Sequence, residues 1–426
     1  MKLLTVDLEA PLPDIPPPAV GEQWVLVRFH REPLGMLYFS SGGCSAGELA
    51  AEIARGFSWR IMRHLARDSF HGGALPASDD LPRVCPRHQD VDLPRLTVAV
   101  CTRDGAHRLG ECLRSLDTLK YPADRLDLLV VDNSPSDDST ASVVARHPRV
   151  RYVVEPRPGL NWARNRAVLE AAGDVIAFTD DDVSVDVWWA DALGRLFAAD
   201  PQVDAVTGLV VPDEIDVEAQ RLFERYGGFG RGFDRQYFHV NAAAGEATAR
   251  RHGGTGRFGT GANMAFRRTL VDRIGLFDPA LDVGTPTNGG GDLEMFFRVL
   301  KERGTLVYEP AAIVRHRHRR SYEQLRTQLA NNGIGFYSYL VRTARVYRDE
   351  RPSLLRLGAW WLWWWNLRRL VRSFIGRSDV PRDLIVAELK GSLLGLRRYS
   401  AAVRRAASIA RTFGPQHPYA STANGA

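Results

Sequence analysis

Between about residues 96 and 318, apolar runs of strand length alternate with segments of helical spacing. The runs fall at 96–101, 126–131, 150–154 and 175–179, and a helical pattern follows each of the first three. Strands that alternate with helices favour βαβ units, in which the helices cover both faces of a parallel sheet. The pattern therefore predicts an α/β fold for the middle of the chain.

The two ends of the chain have different patterns. The N-terminal part combines strand-like runs at 23–29 and 35–39 with helical spacing from 45 to 67, which predicts a small α/β module. The C-terminal part is mostly of helical character. A chain of 426 residues is long enough for two or three domains. We predict domains at 1–94, 95–320 and 321–426.

Charge is distributed unevenly along the chain. The net charge is +6, but residues 315–426 carry 21 basic and 6 acidic side chains, a balance of +15, which leaves −9 for the remainder. A basic tail on an acidic body indicates an anionic partner, either lipid headgroups or nucleic acid. The tail contains no recognisable nucleic-acid motif, so we expect no nucleic acid among the partners.

A segment rich in tryptophan lies within the basic tail. Five of the six residues from Trp360 to Trp365 are tryptophan, and Arg356, Arg368 and Arg372 flank them. Tryptophan with flanking arginine is typical of a helix at a membrane interface, but a helix docked between domains would also use these side chains as core. Both interpretations are open at this stage.

The cysteines and the N-terminus bear on location. The four cysteines form no CxxC pair, which favours reduced thiols. The first residues include acid and prolines too early for a signal peptide, and no uncharged apolar stretch reaches 18 residues. We expect a cytoplasmic protein. The basic tail and the tryptophan segment also allow peripheral contact with the inner face of the cell membrane.

Polar residues follow the ends of the predicted strands. Ligands of open α/β sheets bind beyond the carboxyl ends of the strands. Three adjacent carboxylates repel one another, so a fold tolerates them mainly where water or a cation screens the charge. Asp180 and Asp182 can reach one divalent ion, whose other ligands would be diphosphate oxygens. The candidate residues at strand ends are Thr102, Arg103, Asp104, Asp132, Asp180, Asp181 and Asp182, and we expect the first six of them to contact the nucleotide.

Two of the candidates also have simpler explanations. Asp132 can accept hydrogen bonds from a base or a ribose hydroxyl, or it can cap a helix or turn. Arg164 lies on a helix that follows the turn at Gly159, where it can meet an anionic nucleotide or form a surface ion pair.

Several ordered motifs together resemble glycosyltransferase family 2, whose members have the GT-A fold and transfer a sugar from a nucleotide donor. The resemblance implies a nucleotide-binding parallel or mixed sheet flanked by helices. It extends over some 220 residues. The motifs are Cys101-Thr102-Arg103-Asp104, Val130-Val131-Asp132-Asn133-Ser134, Gly159 with Ala163-Arg164-Asn165, Asp180-Asp181-Asp182 with Trp188-Trp189, Gly261 to Arg268 with Gly275 to Asp278, Gly291-Asp292-Leu293-Glu294, and Tyr308-Glu309-Pro310 before His316.

The resemblance implies roles for the acidic residues. Asp132 matches the aspartate that contacts the base. Asp180 and Asp182 match the Asp-x-Asp motif, which holds ribose and a divalent ion, Mn²⁺ or Mg²⁺, that acts as a Lewis acid. Asp181 is the variable middle position, and the adjacent acid leaves open which carboxylates are ligands. His316 matches a histidine that completes the metal shell in some members, while His318 competes for that role or both are surface residues.

Asp292 matches the general base of the family. The acidic residue that usually precedes it is replaced by Gly291. The implied reaction is a single displacement with inversion, in which Asp292 takes the proton of an acceptor hydroxyl. The alternative is that Asp292 caps the helix that follows. The glycine-rich loop 284–291 could then be a mobile acceptor lid.

The expected partners are a nucleotide-sugar donor and a sugar, lipid-linked or other hydroxyl acceptor, as in polysaccharide or glycolipid synthesis. Two alternatives remain open. A sugar nucleotidyltransferase would need a phosphate loop after the first strand, and residues 102–106 fit this poorly. A non-catalytic scaffold that binds anions or membranes would use the basic tail. The donor base, the donor sugar and the acceptor do not follow from the sequence.

Overall fold

A computed structural model describes residues 2–18, 21–40, 42–69, 85, 88, 91–240, 248 and 253–416. The domain boundary that we predict near residue 94 follows a stretch that lies mostly outside the described residues, and the three predicted domains remain a proposal.

The N-terminal part forms a three-stranded sheet with one covering helix. Strand β1 (Leu4–Asp7) is parallel to β2 (Gln23–Phe29), and β2 is antiparallel to β3 (Glu32–Phe39). Helix α1 (Ala46–Ser69) packs on this sheet through an apolar face that includes buried Leu49. The observed elements agree with the alternating strand pattern and the helical spacing of the sequence.

The central sheet contains nine strands in the order β10-β12-β9-β11-β7-β4-β5-β6, with β8 paired to β12. Its strands are β4 (Leu96–Thr102), β5 (Leu126–Asn133), β6 (Val150–Glu155), β7 (Val175–Asp180), β8 (Val183–Val185), β9 (Val203–Pro212), β10 (Gln236–Phe238), β11 (Asn263–Arg267) and β12 (Thr305–His316).

The sheet is mixed rather than purely parallel. Strands β4 to β7 are parallel to one another, but β11 runs antiparallel between β7 and β9. The alternation of strands and helices predicts a parallel sheet, and this prediction is wrong at β11. The order and direction of strands in a sheet depend on pairing between distant segments, which the alternation does not reveal. The α/β class with a sheet flanked by helices, which the family resemblance implies, is confirmed.

Parallel pairing brings the predicted site residues to one edge. Thr102 pairs with Asp132 across β4 and β5, and Cys101 pairs with Asp180 across β4 and β7. The apolar residues of these strands are almost completely buried, because helices cover both faces of the sheet. The carboxyl ends of three adjacent strands thus form a single rim.

The helices of the middle and C-terminal parts complete the fold. They are α2 (Ala106–Asp117), α3 (Ser139–Val144), α4 (Leu160–Glu170), α5 (Trp189–Ala199), α6 (Glu218–Tyr226), α7 (Arg268–Ile274), α8 (Gly291–Lys301), α9 (Tyr322–Val346), α10 (Arg351–Trp360), α11 (Arg368–Phe374) and α12 (Arg382–Phe413), with a π-helical segment (Trp361–Leu367) between α10 and α11. The C-terminal part is therefore helical, as predicted.

Helices α9 and α12 approach each other unusually closely. A Cβ added at Gly391 of α12 would lie 2.0 Å from the carbonyl oxygen of Ala330 on α9. Only glycine permits this backbone contact. Helix α9 also contacts α8, since Arg342 pairs with Glu294 at 2.5 Å. The C-terminal helices are thereby attached directly to the element that carries Asp292. No helix among the described residues is long and apolar enough to cross a membrane.

The tryptophan segment divides its side chains between two environments. Trp361 packs against Phe336, and Trp365 donates to Glu388 over 3.1 Å. Trp360, Trp363 and Trp364 are exposed by 51%, 64% and 45%. Two of the five rings therefore pack within the protein, against residues of the C-terminal helices, and the other three face outward.

Candidate active site at the carboxyl edge of the central sheet

Asp132 lies at the end of β5, fully buried at the rim. The Tyr152 hydroxyl donates to its Oδ2 over 2.7 Å, and the Thr140 hydroxyl also stabilises the carboxylate. Burial nevertheless raises the pKa of Asp132. A buried carboxylate held by neighbouring hydroxyls is an oriented acceptor, which suits contact with the edge of a base; that role remains a prediction.

Asp180 ends β7 and is only partly buried. Desolvation, together with repulsion from Asp182, raises the pKa of Asp180 to about 7, although Arg164 opposes the shift. A carboxyl group with so high a pKa is poorly compensated by the protein alone. A divalent cation next to Asp180 and Asp182 would remove this repulsion.

Asp181 turns away from its two neighbours. Its Oδ2 accepts from the Thr102 hydroxyl over 2.6 Å, and Arg108 of α2 donates to both of its oxygens over 3.1 Å. A Cβ at Gly105 would lie 2.1 Å from this carboxylate, so the turn before α2 needs glycine. The hydrogen bonds of Asp181 thus connect the end of β7 with the end of β4 and the first turn of α2. The nucleotide contacts that we predict for Thr102 and Asp181 are not tested.

Arg103 and Asp104 follow β4 at the surface. Asp104 adopts a positive φ of 49°, and its Oδ1 accepts from the backbone N–H and hydroxyl of Ser136 over 3.0 and 2.7 Å. These hydrogen bonds lower the pKa of Asp104 and join the loops that follow β4 and β5. Arg103 is exposed beside Asp104. Both residues lie at the rim, and their predicted nucleotide contacts remain predictions.

Asp182 faces His316, which ends β12. Asp182 Oδ1 lies 3.5 Å from His316 Nε2. Burial lowers the pKa of His316 to about 4, with Asp182 opposing, so the imidazole is neutral at physiological pH. A neutral imidazole nitrogen beside carboxylate oxygens is a donor set suited to Mn²⁺.

His318 lies behind His316 and does not face Asp182. The two Nδ1 atoms are 3.1 Å apart, and His318 Nε2 lies 2.7 Å from Oε1 of Glu224 on α6. Because a carboxylate only accepts, His318 Nε2 carries a proton, and its Nδ1 accepts from His316 Nδ1. The lone pair of His316 Nε2 therefore points towards Asp182. Glu224 orients His316 through His318, in the way that outer carboxylates orient metal-binding histidines.

Arg164 is 4% exposed and lies beneath the acidic rim. Its Nη1 donates to Asp282 Oδ2 over 2.6 Å and to Asn161 Oδ1 over 3.2 Å. A Cβ at Gly261 would lie 2.5 Å from Arg164 Nη2, which explains glycine at that position. The predicted surface pair is thus a buried one, and the predicted nucleotide contact of Arg164 remains untested.

Asp292 lies in the first turn of α8, which begins at Gly291. Its Oδ2 accepts from the Gly261 backbone N–H over 2.8 Å, and its Oδ1 from that of Leu293 over 2.8 Å. The residue that precedes the helix is Gly290, so the alternative that Asp292 is the N-cap is wrong. Burial and repulsion from Asp282 raise the pKa of Asp292, as suits a general base.

The structure groups the predicted residues into two sets. Asp180, Asp182, Asp292 and His316 offer carboxylate or imidazole groups at the rim, whereas Asp181 and Arg164 have partners within the protein. Sequence reasoning missed Asp282, although it follows the Gly275 to Asp278 motif by four residues. It also missed Glu224, which carried no signal because its partner His318 is distant in sequence.

A mixed α/β sheet with acidic residues at its carboxyl edge and a general-base candidate beside them is the arrangement that the sequence motifs predict, and comparisons with known proteins point to the same family. The family model described as glycosyl transferase family 2 matches residues 97–275, and this part of the chain is a glycosyltransferase family 2 domain. The nucleotidyltransferase and scaffold alternatives receive no support from the match.

The relatives are glycosyltransferases. The pre-mycofactocin glycosyltransferase of Mycobacterium tuberculosis is 26% identical over 321 residues, which are 75% of this chain and 59% of that protein. The glycosyltransferase AglE of Haloferax volcanii is 24% identical over 277 residues, or 64% of this chain and 80% of that protein. The chain thus covers 59% of the length of the mycobacterial relative.

Among solved structures, a mannosyltransferase of Pyrobaculum calidifontis in complex with GDP-Man and Mn²⁺ is 18% identical and covers 86% of each chain, with a TM-score of 0.40.

Proposed function

We propose that this glycosyltransferase is a metal-dependent inverting enzyme that moves a sugar from a nucleotide-sugar donor to an acceptor hydroxyl. The observation that carries the proposal is the pair Asp182 and neutral His316, 3.5 Å apart, beside Asp180 with its raised pKa. Like charges and a neutral imidazole at an open rim match what a divalent cation requires. Asp180, Asp182 and His316 would hold Mn²⁺ or Mg²⁺, which when bound would supply positive charge to the leaving diphosphate.

The residues of the chain perform the remaining tasks. Asp132 would accept hydrogen bonds from the base. Asp292 would take the proton of the acceptor hydroxyl while its oxygen attacks the anomeric carbon. The bond from that carbon to the diphosphate oxygen breaks, and its electron pair leaves with the nucleoside diphosphate. Two backbone N–H groups hold the Asp292 carboxylate in place, so it needs no reorganisation to accept the proton.

The test is hydrolysis or transfer with a panel of nucleotide sugars, each assayed with Mn²⁺, with Mg²⁺ and with EDTA. We expect release of the nucleoside diphosphate from one donor class, with loss of activity in EDTA and its recovery on addition of metal. Activity that is unchanged by EDTA would refute metal dependence while leaving the family assignment intact. An anomeric product of retained configuration would refute inversion.

We also propose that the acceptor is presented at a membrane surface. The exposed Trp360, Trp363 and Trp364 lie on one segment with exposed Leu355 and Phe374, within the region of charge +15. Aromatic and apolar side chains suit the headgroup region, and basic residues near anionic lipid contribute about 1 kcal/mol each.

A matched pair of variants tests this contact. Trp363→Ala removes an exposed ring and should weaken co-flotation with anionic liposomes at low salt without loss of thermal stability. Trp365→Ala removes a ring packed on Glu388 and Arg369 and should lower stability instead. Absence of binding by the unmodified protein at low salt would refute the membrane proposal.

A further inference from the structure

Four side chains of metal-binding type converge in the N-terminal module, far from the acidic rim in sequence. His30 lies in the turn between β2 and β3, His64 and Asp68 lie one turn apart on α1, and Cys85 lies beyond that helix. All four are between 1% and 4% exposed. One potential ligand atom from each lies within 4.8 Å of the others, a convergence that no second group shows in the described part of the chain.

The three distances among His30 Nδ1, His64 Nε2 and Asp68 Oδ2 are close to the edges of a zinc tetrahedron, whereas Cys85 Sγ lies 4.0 Å from His64 Nε2 and would have to move closer to bind. With Zn–N and Zn–O bonds of about 2.0–2.1 Å and a Zn–S bond of about 2.3 Å, the edges are about 3.3 Å, and about 3.6 Å to sulfur. His30 Nδ1 lies 2.9 Å from His64 Nε2 and 3.1 Å from Asp68 Oδ2, and the last two atoms are 3.3 Å apart. Cys85 Sγ lies 3.5 Å from Asp68 Oδ1 and 4.0 Å from His64 Nε2.

The backbone at His30 adopts a left-handed conformation that is uncommon for residues other than glycine. His30 and Arg31 have φ values of 50° and 67°, and together they form the two-residue turn between β2 and β3. Such turns normally use asparagine, aspartate or glycine, because other residues are strained at positive φ. From this turn the His30 imidazole reaches His64 and Asp68.

An outer carboxylate orients His64. Its Nδ1 lies 3.1 Å from Oε2 of Glu32, which also accepts from Arg67 over 2.9 Å. Since the carboxylate only accepts, His64 Nδ1 carries the proton and Nε2 presents its lone pair to the cluster. A carboxylate on the remote nitrogen of a histidine is the usual outer contact of a zinc ligand. The Phe29 ring stacks on His30 with centroids 3.9 Å apart and shields this side of the cluster.

We propose that His30, His64, Asp68 and Cys85 bind one Zn²⁺ as a closed structural site. The thiolate and the carboxylate together balance the charge of the ion, and the two imidazoles remain neutral. Sulfur and imidazole ligands favour Zn²⁺ over Mg²⁺ or Ca²⁺. Four protein ligands complete a tetrahedron and leave no position for substrate, so the role is structural rather than catalytic.

The site would also fix how the N-terminal module meets the central sheet. Arg31, adjacent to His30 in the same turn, lies 3.4 Å above the Trp188 ring and pairs with Asp191 of α5 at 3.0 Å. The zinc ion would join the turn to α1 and so hold Arg31 in its docking position. The module is thereby seated against the domain that carries the acidic rim.

The test is metal analysis of the full-length protein, purified without chelator. We expect one zinc per chain by inductively coupled plasma mass spectrometry. Replacement by Co²⁺ should produce the visible bands of tetrahedral cobalt and a near-ultraviolet thiolate-to-cobalt band. No bound zinc, together with no thiolate-to-cobalt band after cobalt addition, would overturn the proposal and leave the cluster as a hydrogen-bonded polar core.

Matched variants locate the metal. Cys85→Ser should remove the thiolate-to-cobalt band and lower zinc retention, whereas Cys44→Ser, a change at another buried cysteine of the module, should alter neither. Asp182→Asn should retain zinc, which separates this site from the rim. A thiolate band that persists in Cys85→Ser would overturn the assignment. If Cys85→Ser does not fold, the cobalt spectrum of the unmodified protein decides.

Discussion

The acidic rim of the central sheet and the N-terminal His/Asp/Cys cluster both bring together side chains of metal-binding type, but in opposite ways. At the rim, Asp180 and Asp182 repel each other and remain partly accessible. In the N-terminal cluster, two imidazoles, a carboxyl group and a thiol lie together in a buried arrangement. The first arrangement leaves room for a substrate, and the second leaves none.

The comparison teaches that closure, more than ligand type, separates a catalytic from a structural metal site. A rim that supplies only some of the ligands allows diphosphate oxygens to complete the shell. In a cluster that supplies all four ligands, the free energy of binding the ion stabilises the folded state.

The largest effect is expected for Asp182→Asn. The change removes a ligand carboxylate and the charge that repels Asp180, so it should abolish sugar transfer and lower the pKa of Asp180. Transfer assays at saturating Mn²⁺ measure the first effect, and thermal denaturation of the metal-free protein as a function of pH measures the second. Near-normal transfer with an intact fold would exclude this carboxylate as a metal ligand.

Asp292→Asn should retain donor and metal binding but reduce the rate of transfer by about 10²–10⁴-fold, the usual contribution of a general base. The amide has nearly the same shape and keeps one oxygen for the Gly261 backbone N–H. Donor binding by calorimetry and turnover by product release separate the two effects. A loss of stability with unchanged specific activity would show that Asp292 only positions the start of α8.

Glu224→Gln should weaken the orientation of His316 through His318. We expect the Mn²⁺ concentration for half-maximal rate to rise by about 10–100-fold, as for other outer-shell changes, while the rate at saturating Mn²⁺ changes little. Glu218→Gln, at an exposed position on the same helix, is the matched control. An equal effect of both variants would contradict the Glu224–His318–His316 arrangement.

The smallest effect is a pH dependence of metal binding at the rim. Because the pKa of Asp180 is raised to about 7, this carboxyl holds a proton below that pH, and the metal must displace it. The apparent Mn²⁺ affinity should fall by up to about tenfold per pH unit below 7 and level off above it. The metal-free protein should gain stability as the pH falls through 7, since the folded chain binds this proton more tightly than the unfolded chain.

Electron paramagnetic resonance of free Mn²⁺ at several pH values measures this dependence, and Asp180→Asn should remove it. Zinc in the closed N-terminal cluster should stay bound over the same range, because a buried, fully ligated ion is lost only at lower pH. Equal pH dependence of the two sites would erase the contrast between them.

The sequence was sufficient to predict which segments form the strands and where their ends place chemistry. The apolar runs that become β4, β5 and β7 are long enough only for buried strands, and parallel neighbours bring their carboxyl ends together. The strand pattern alone therefore assigns Asp132 and Asp180 to one edge of the sheet. The motif order then predicted the family, which the comparisons confirm.

The directions of adjacent acids could not be predicted in the same way. Asp181 turns to Arg108 of α2, while Asp182 turns to His316 of β12, although the two acids are neighbours in sequence. The partner on each side comes from a distant segment. Likewise, the insertion of antiparallel β11 follows from pairing across the sheet, which local periodicity does not encode.

The set of elements, the acidic edge and the family were predictable from the amino-acid sequence, because strand length, periodicity and motif order are properties of contiguous residues. Which side chains meet depends on the three-dimensional packing of the elements. His64 and Asp68 share one face of α1 at i, i+4 spacing, but His30 and Cys85 come from other segments, and folding brings one ligand atom of each within 4.8 Å of the others. Contacts between segments so far apart depend on the packing of whole elements, so no local pattern in the sequence could indicate them.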